Sequence, residues 1–438
     1  MMRQHKLCRT AALRVIFILL ALTSCASLFL AQESRPKDGR YYEQQARKAY
    51  QEKNYAAFLE NMKRAASLRP EQPRLMYNLA VAYALNGDGG RALLWLGKVA
   101  RMGLVYPAES DTDFNSIRET VEFKAVLAKF RENREPVIRS ARAFSVDQKG
   151  LITESVAFDP RAATFYLSSV HKRKIISVSR GREVKDFLTE RDGLWSVMGM
   201  KVDARRRHLW ACTVSHPQMI NYREEEGVRS ALLKVDLRTG RIVQRYELPA
   251  KPAAHWLGDL ALNPEGDVFT TDSVTPAVYV LRRGSDKLEV FYQGEPFVSP
   301  QGLDFSSDGE SLYVADYARG IFIIDLKTRK LTAVSPALDS TLIGIDGLYV
   351  YKRDLVGVQN GTNPQRLVRV RLSRDGARAE RVEVMEANNP VMDEPTLGVI
   401  VKHEFYFVAN SQWGAIDKTG QLSHPEKLQD PVVLKIRL

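Results

Sequence analysis

The 438-residue chain has only three cysteines, Cys8, Cys25 and Cys212. Three thiols cannot staple a chain of this length, so its cores must rest on apolar packing. No GxSxG elbow, Walker-type phosphate loop or HExxH helix occurs, which removes the serine hydrolase, nucleotidase and zincin readings. Glycine (27) and proline (19) are too few for collagen-like or low-complexity architectures. The formal charge is +12, yet 52 acidic residues are mixed among the basic ones and no basic run is interleaved with aromatics. Nucleic-acid binding is therefore not expected. What remains is a globular composition, 45% hydrophobic and 26% charged, with length for two or three domains.

Four of the surplus positive charges, Arg3, Lys6, Arg9 and Arg14, precede an apolar stretch from Val15 to Ala31. A charged segment followed by an apolar one is the pattern of a secretory signal, and the stretch is short for a membrane-spanning helix. Leu22-Thr23-Ser24-Cys25 resembles a bacterial lipobox, which makes Cys25 a lipidation candidate. Ser27–Ala31 stays apolar where a lipoprotein usually turns polar. Lipid anchor, simple cleavage and uncleaved anchor are three readings of residues 1–31, and all three imply export. The product is periplasmic, membrane-anchored or secreted, touching membrane only through this segment. Cys212 then stands alone and reads as a buried small hydrophobe.

After a linker over 32–40, residues 41–135 show apolar and small residues at helical spacing. Ala46, Ala49 and Tyr50 are followed by Phe58, Met62, Ala65 and Ala66. The next unit carries Tyr77, Leu79, Ala80, Tyr83, Gly87, Ala92, Leu96 and Val99. This pattern resembles the tetratricopeptide repeat, whose period is about 34 residues. The resemblance implies a small helical domain, a spacer or a surface for a protein partner.

From residue 141 onward the period switches to short alternating strands. Six units recur, opening at Glu154, Met198, Gly258, Gln301, Asp346 and Thr396. Their spacing is close to the roughly 40–50 residues of a four-stranded propeller blade. The fold class expected is mainly β, a six-bladed β-propeller over 141–438 preceded by the helical domain and the signal segment. The last unit lacks a strand of its own. Residues 142–147 are therefore expected to close the ring by antiparallel pairing beside 432–437.

In such a ring the six opening residues gather at one mouth of the central channel, with Asp259 one step further in. The second strands return to that face and end at Ser169, Thr213, Asp272, Asp316, Asn360 and Asn410. The loops that follow bring His171 and His216. A ring of carboxylate and amide oxygens suits a hard divalent cation, calcium above all. The alternative for Asp272 and Asp316 is structural, as acceptors for backbone amides between blades. Glu154 and Asp346 open buried inner strands, where a carboxylate needs a partner.

The units PQGLDFSSDGESLYVAD and IDGL resemble the senescence-marker protein (regucalcin) and gluconolactonase family of six-bladed propellers. The resemblance implies a divalent metal held by Glu154, Gln301 and Asp346, with glutamine where the family has asparagine. It implies lactone or ester hydrolysis, with Asp346 or Asp259 as base and His255 and Trp256 flanking the pocket. Gly258 stands where the family carries a substrate-contacting asparagine, which departs from sugar-lactone recognition. The rival reading is a non-catalytic propeller that binds a ligand or protein. His171, His216 and His255 share no zinc motif. The long connection over 216–230, with Met219, Ile220 and Tyr222 beside Glu224–Glu226, has the composition of a lid.

Overall fold

The computed structural model describes residues 38–438, so the signal segment and Cys25 lie outside the described residues. Two compact units divide after Pro70. The first holds helices α1 (Gly39–Gln51) and α2 (Tyr55–Leu68), started by Asp38 and Asn54, whose side chains accept from Tyr41 N and Ala57 N. Ala46, Ala49, Phe58, Met62, Ala65 and Ala66 are buried as the spacing predicts, while Tyr50 stays exposed.

The second unit opens with α3 (Pro73–Leu85) and α4 (Gly89–Arg101), and α5 (Val121–Glu132) follows. Pro73 occupies the first turn of α3, where its missing N–H costs nothing. Gly87 turns the chain at φ +76°, and Ala80 and Ala92 are fully buried, which lets α3 and α4 pack closely. These helices share a compact unit with the propeller. Arg366, in blade five, sends its guanidinium to the carbonyls of Met102 (2.8 Å) and Gly103 (3.4 Å) at the end of α4. Asn133, after α5, donates to the Ala100 and Leu104 carbonyls, and Asn388 in turn donates to Asn133 O. Among the described residues no helix is long and apolar enough to cross a membrane.

Six four-stranded antiparallel sheets follow. Their innermost strands are Val156–Asp159, Ser196–Asp203, Leu257–Leu262, Pro300–Phe305, Gly347–Tyr351 and Gly398–Val401. Apolar side chains of neighbouring sheets interdigitate, as where Leu257, Leu260 and Tyr279 of blade three meet Met198, Trp210 and Cys212 of blade two. Cys212 is buried and its thiol is pushed up to about 12 by burial, so it packs as the small hydrophobe expected. The ring closes as expected. Ala141–Ser145 adds the outermost strand of blade six, pairing antiparallel with Val432–Arg437 so that Ala141 faces Lys435 and Ser145 faces Val432. Phe144 is sealed there against the core of blade one, which removes two open edges at once.

Candidate functional site

The inner strands of blades two, three and four each slip register near their start, between Val197 and Met200, Leu257 and Leu260, and Pro300 and Leu303. Such bulges re-aim side chains. Here they hold Met198, Gly258, Asp259 and Gln301 at the channel mouth. Glycine makes the approach possible: a β-carbon on Gly302 would collide with the Leu348 nitrogen and the Asp346 oxygen. Gly302 N instead donates to Asp346 O at 2.7 Å, and so fixes the backbone that carries the Asp346 carboxylate.

Five of the six opening residues line one cavity of about 260 Å³: Glu154, Met198, Gly258, Gln301 and Asp346. Asp259, Trp256, Ser273, Leu397 and Trp413 complete the wall. Thr396 is buried beside Leu397 and adds nothing to the surface. Glu154 Oε2 accepts from the Trp413 indole at 2.7 Å. Burial, then the neighbouring Asp346 charge, raises the Glu154 carboxyl well above its usual range. Asp346 Oδ2 accepts from Asn360 at 2.8 Å, and burial lifts its carboxyl to about 6. Asp259 gives Oδ1 to Leu260 N (2.8 Å), while Oδ2 is buried without a hydrogen-bond partner among the described residues. Gln301 donates its amide N–H to Ser299 Oγ (3.0 Å), and its Oε1 lies 3.5 Å from where a Gly258 side chain would begin. The longer glutamine reaches over the place that glycine leaves empty.

No Lys or Arg lines this cavity. Lys201 sits one tier deeper, its ammonium 4.5 Å from the Tyr349 ring centroid. Buried carboxylates with unspent oxygens and an amide oxygen make a hard-oxygen donor set, the chemistry of a divalent cation such as calcium. Glu154, Asp346 and Gln301 bring such oxygens to the cavity wall, as does Asp259. Among the described residues, no group of three or more His, Cys, Asp or Glu side chains is placed to hold a metal ion.

At the strand ends Asp272 and Asp316 take the structural role, as acceptors for backbone amides. Asp272 Oδ1 accepts from the amides of Trp256, Val274 and Thr275, and Oδ2 meets His255 Nδ1. Asp316 accepts from Val298, Ser299 and Ala318 N, and Asn410 bridges Asp430 O and Val432 N. None of these three lines the cavity, nor does His255. The physical reason is proximity: each strand end lies beside loop backbone whose buried amides need acceptors. Asn360 is the exception. It reaches Asp346, is itself held by the Tyr317 hydroxyl (3.0 Å), and stands behind the wall.

His171 hydrogen-bonds the Gln218 carbonyl at 2.9 Å, away from the cavity. His216 packs its ring against Trp256 (4.6 Å between centroids) and Trp413 (6.3 Å), and its Nε2 finds no partner among the described residues. Burial depresses its pKa to about 4. The unfolded chain then binds more protons than the folded one between that value and the ordinary one of about 6.5. Stability contributed by neutral His216 is therefore lost as pH falls through that window, on the order of 3 kcal/mol by pH 4. Urea unfolding at pH 7.5 and 4.5 should show His216→Phe losing less than the parent on acidification. Equal losses would contradict this.

The lid expected over 216–230 is not where the cavity closes. Ile220 N bonds His171 O, Arg173 bonds Ile220 O, and Met219 is buried against Trp195 and Ala231. This segment lies down on blades one and two because its apolar residues find partners there. The wall is completed instead by Trp413, carried on the long connection 409–431 between the second and third strands of blade six. Its length was the sequence signal.

No protein-family model matches the sequence, and no curated protein matches it. Among solved structures, the chain is similar to a gluconolactonase from Xanthomonas campestris at 14% identity. That match covers 69% of this chain and 95% of the other, with a TM-score of 0.46. It is also similar to regucalcin, a calcium-binding protein from Agrobacterium tumefaciens (13% identity, 68% and 93% covered, TM-score 0.46). Virginiamycin B lyase from Staphylococcus aureus is a third (14%, 67% and 83%, 0.44).

Proposed function

We propose that the protein is an exported hydrolase of lactones or esters, working at the cavity bounded by Glu154, Gln301 and Asp346. The observation that carries the reading is the convergence of Glu154, Asp346 and Asp259 on one cavity with no Lys or Arg in its wall. A divalent cation, calcium by its preference for such donors, would be held by Glu154, Gln301 and Asp346. When bound, it would polarise the substrate carbonyl.

The chain's own residues supply the rest. Asp346 Oδ2 is tied to Asn360, while Oδ1 carries no hydrogen bond among the described residues. An uncommitted carboxylate oxygen beside the substrate is placed to act as a general base. Asp346 takes a proton from water as the water oxygen bonds to the carbonyl carbon. The bond from that carbon to the leaving oxygen then breaks, and the proton returns to that oxygen. Trp256, Leu397, Met198 and Trp413 cover the reacting centre and limit bulk water. Export rests on the charged and apolar N-terminal pattern alone.

The experiment is a panel of lactones and esters assayed with and without a chelator. Turnover abolished by chelation and restored by calcium is the expected result. No turnover in the presence of calcium, with ligands still bound, would replace the hydrolase by a binding propeller.

A further inference from the structure

Three carboxyl groups meet in this cavity and no Lys or Arg faces them. Glu154, Asp259 and Asp346 line it, and Asp304 lies beneath in the lower channel with Lys201. Lys201 is the cation acting on both Asp259 and Asp304. Asp304 has both oxygens engaged by the backbone amides of Phe305 and Val350. Glu154 has the Trp413 indole, and Asp346 has Asn360. Of these four, only Asp259 keeps a buried oxygen with no hydrogen-bond donor among the described residues, and the residue is 3% exposed.

Two indoles share the cavity with that carboxyl group. Trp256 and Trp413 both line the cavity, each packed against the His216 ring behind them. Indoles that share a water-poor cavity with an unspent carboxylate suit a desolvated ammonium group, because ring quadrupole and carboxylate attract it together. A neutral hydroxyl would satisfy the oxygen but bring no charge to meet the carboxylate. A second metal ion would leave the indoles unused. We infer that the ligand of this cavity carries a protonated amine, seated on Asp259 against the Trp256 and Trp413 rings. For the nature of the scissile bond this rests on the hydrolase reading, but the charge recognition does not.

The test uses the full chain in 0.15 M sodium chloride with calcium present. Binding of cyclopentylammonium and of cyclopentanol, a neutral ring of the same size, is followed by quenching of tryptophan fluorescence. The ammonium should bind about 30-fold more tightly. Asp259→Asn, checked for folding by circular dichroism, should reduce the preference to about threefold or less. Equal affinities in the parent overturn the inference, and so does an unchanged preference in folded Asp259→Asn. The parent comparison stands even where the variant fails to fold. Ammonium preference without turnover on the lactone and ester panel sinks the hydrolase reading and leaves this one. Turnover of neutral lactones with no ammonium preference does the reverse.

Discussion

Arg366→Met should cost the protein about 3–5 kcal/mol, enough to exhaust much of a domain's ordinary stability margin. Arg366 is 1% exposed, and burial without a carboxylate partner lowers its pKa to about 10. Its guanidinium is satisfied entirely by oxygens: Gln359 Oε1 (2.7 Å), Met102 O and Gly103 O. The last two belong to the C-terminal end of α4, where the helix dipole favours a positive charge. Methionine fills similar volume but leaves those acceptors buried and dry. Each lost hydrogen bond from a charged donor is worth about 1.5–3 kcal/mol. Gln359 would suffer too, since its amide nitrogen is already committed to Thr341 O and Ile343 O and cannot turn to compensate. Arg366→Lys should recover only part of the loss, because one ammonium cannot span both acceptor sets. Urea unfolding measures the effect. A midpoint unchanged in Arg366→Met would mean that the helices are not fastened to blade five through this side chain.

That junction was invisible in the sequence. Arg366 begins RLVRVRL; alternation sets it with Val368 and Val370, opposite Arg369 and Arg371, but at a strand's first position parity does not tell a buried arginine from one that turns out to solvent. The blades were legible because their strand-turn-strand units repeat, and the missing strand of blade six followed from counting. The channel mouth was legible for the same topological reason. Every inner strand opens at that face, so Glu154, Met198, Gly258, Gln301 and Asp346 had to meet. Asp272, Asp316 and Asn410 show where topology stops being enough. It places a side chain at the right end of a strand, but whether it faces the cavity or a neighbouring amide depends on angles that spacing does not encode. Trp413 lies at the opposite extreme. It comes from a non-repeating connection, so no unit predicted its position, and only the length of 409–431 hinted that something was being covered.

Glu154→Gln should shift stability in opposite directions with and without calcium, a result that few structural roles would mimic. In the metal-free protein the Glu154 carboxyl is buried, faces the charge of Asp346, and has one hydrogen bond, from Trp413. Its folded pKa is raised, so the folded state holds the proton more tightly than the unfolded chain does. Stability that depends on that proton is lost as pH rises through the folded pKa. Glutamine keeps the shape and can still accept from the indole, yet has no charge to bury. Metal-free Glu154→Gln should therefore be at least as stable as the parent, by a margin that widens with rising pH. Calcium should reverse the order. Losing one carboxylate ligand should weaken the site by about 100-fold. At a concentration 100 times the parent's Kd, the parent gains about 2.7 kcal/mol from binding and the variant well under 1 kcal/mol. Melting curves in chelator and in calcium, at pH 6 and pH 8, separate these contributions. If calcium raised the melting temperature of both proteins equally, Glu154 would not be a ligand. If the variant were the less stable protein in chelator, the Glu154 carboxylate would have a stabilising partner other than Trp413.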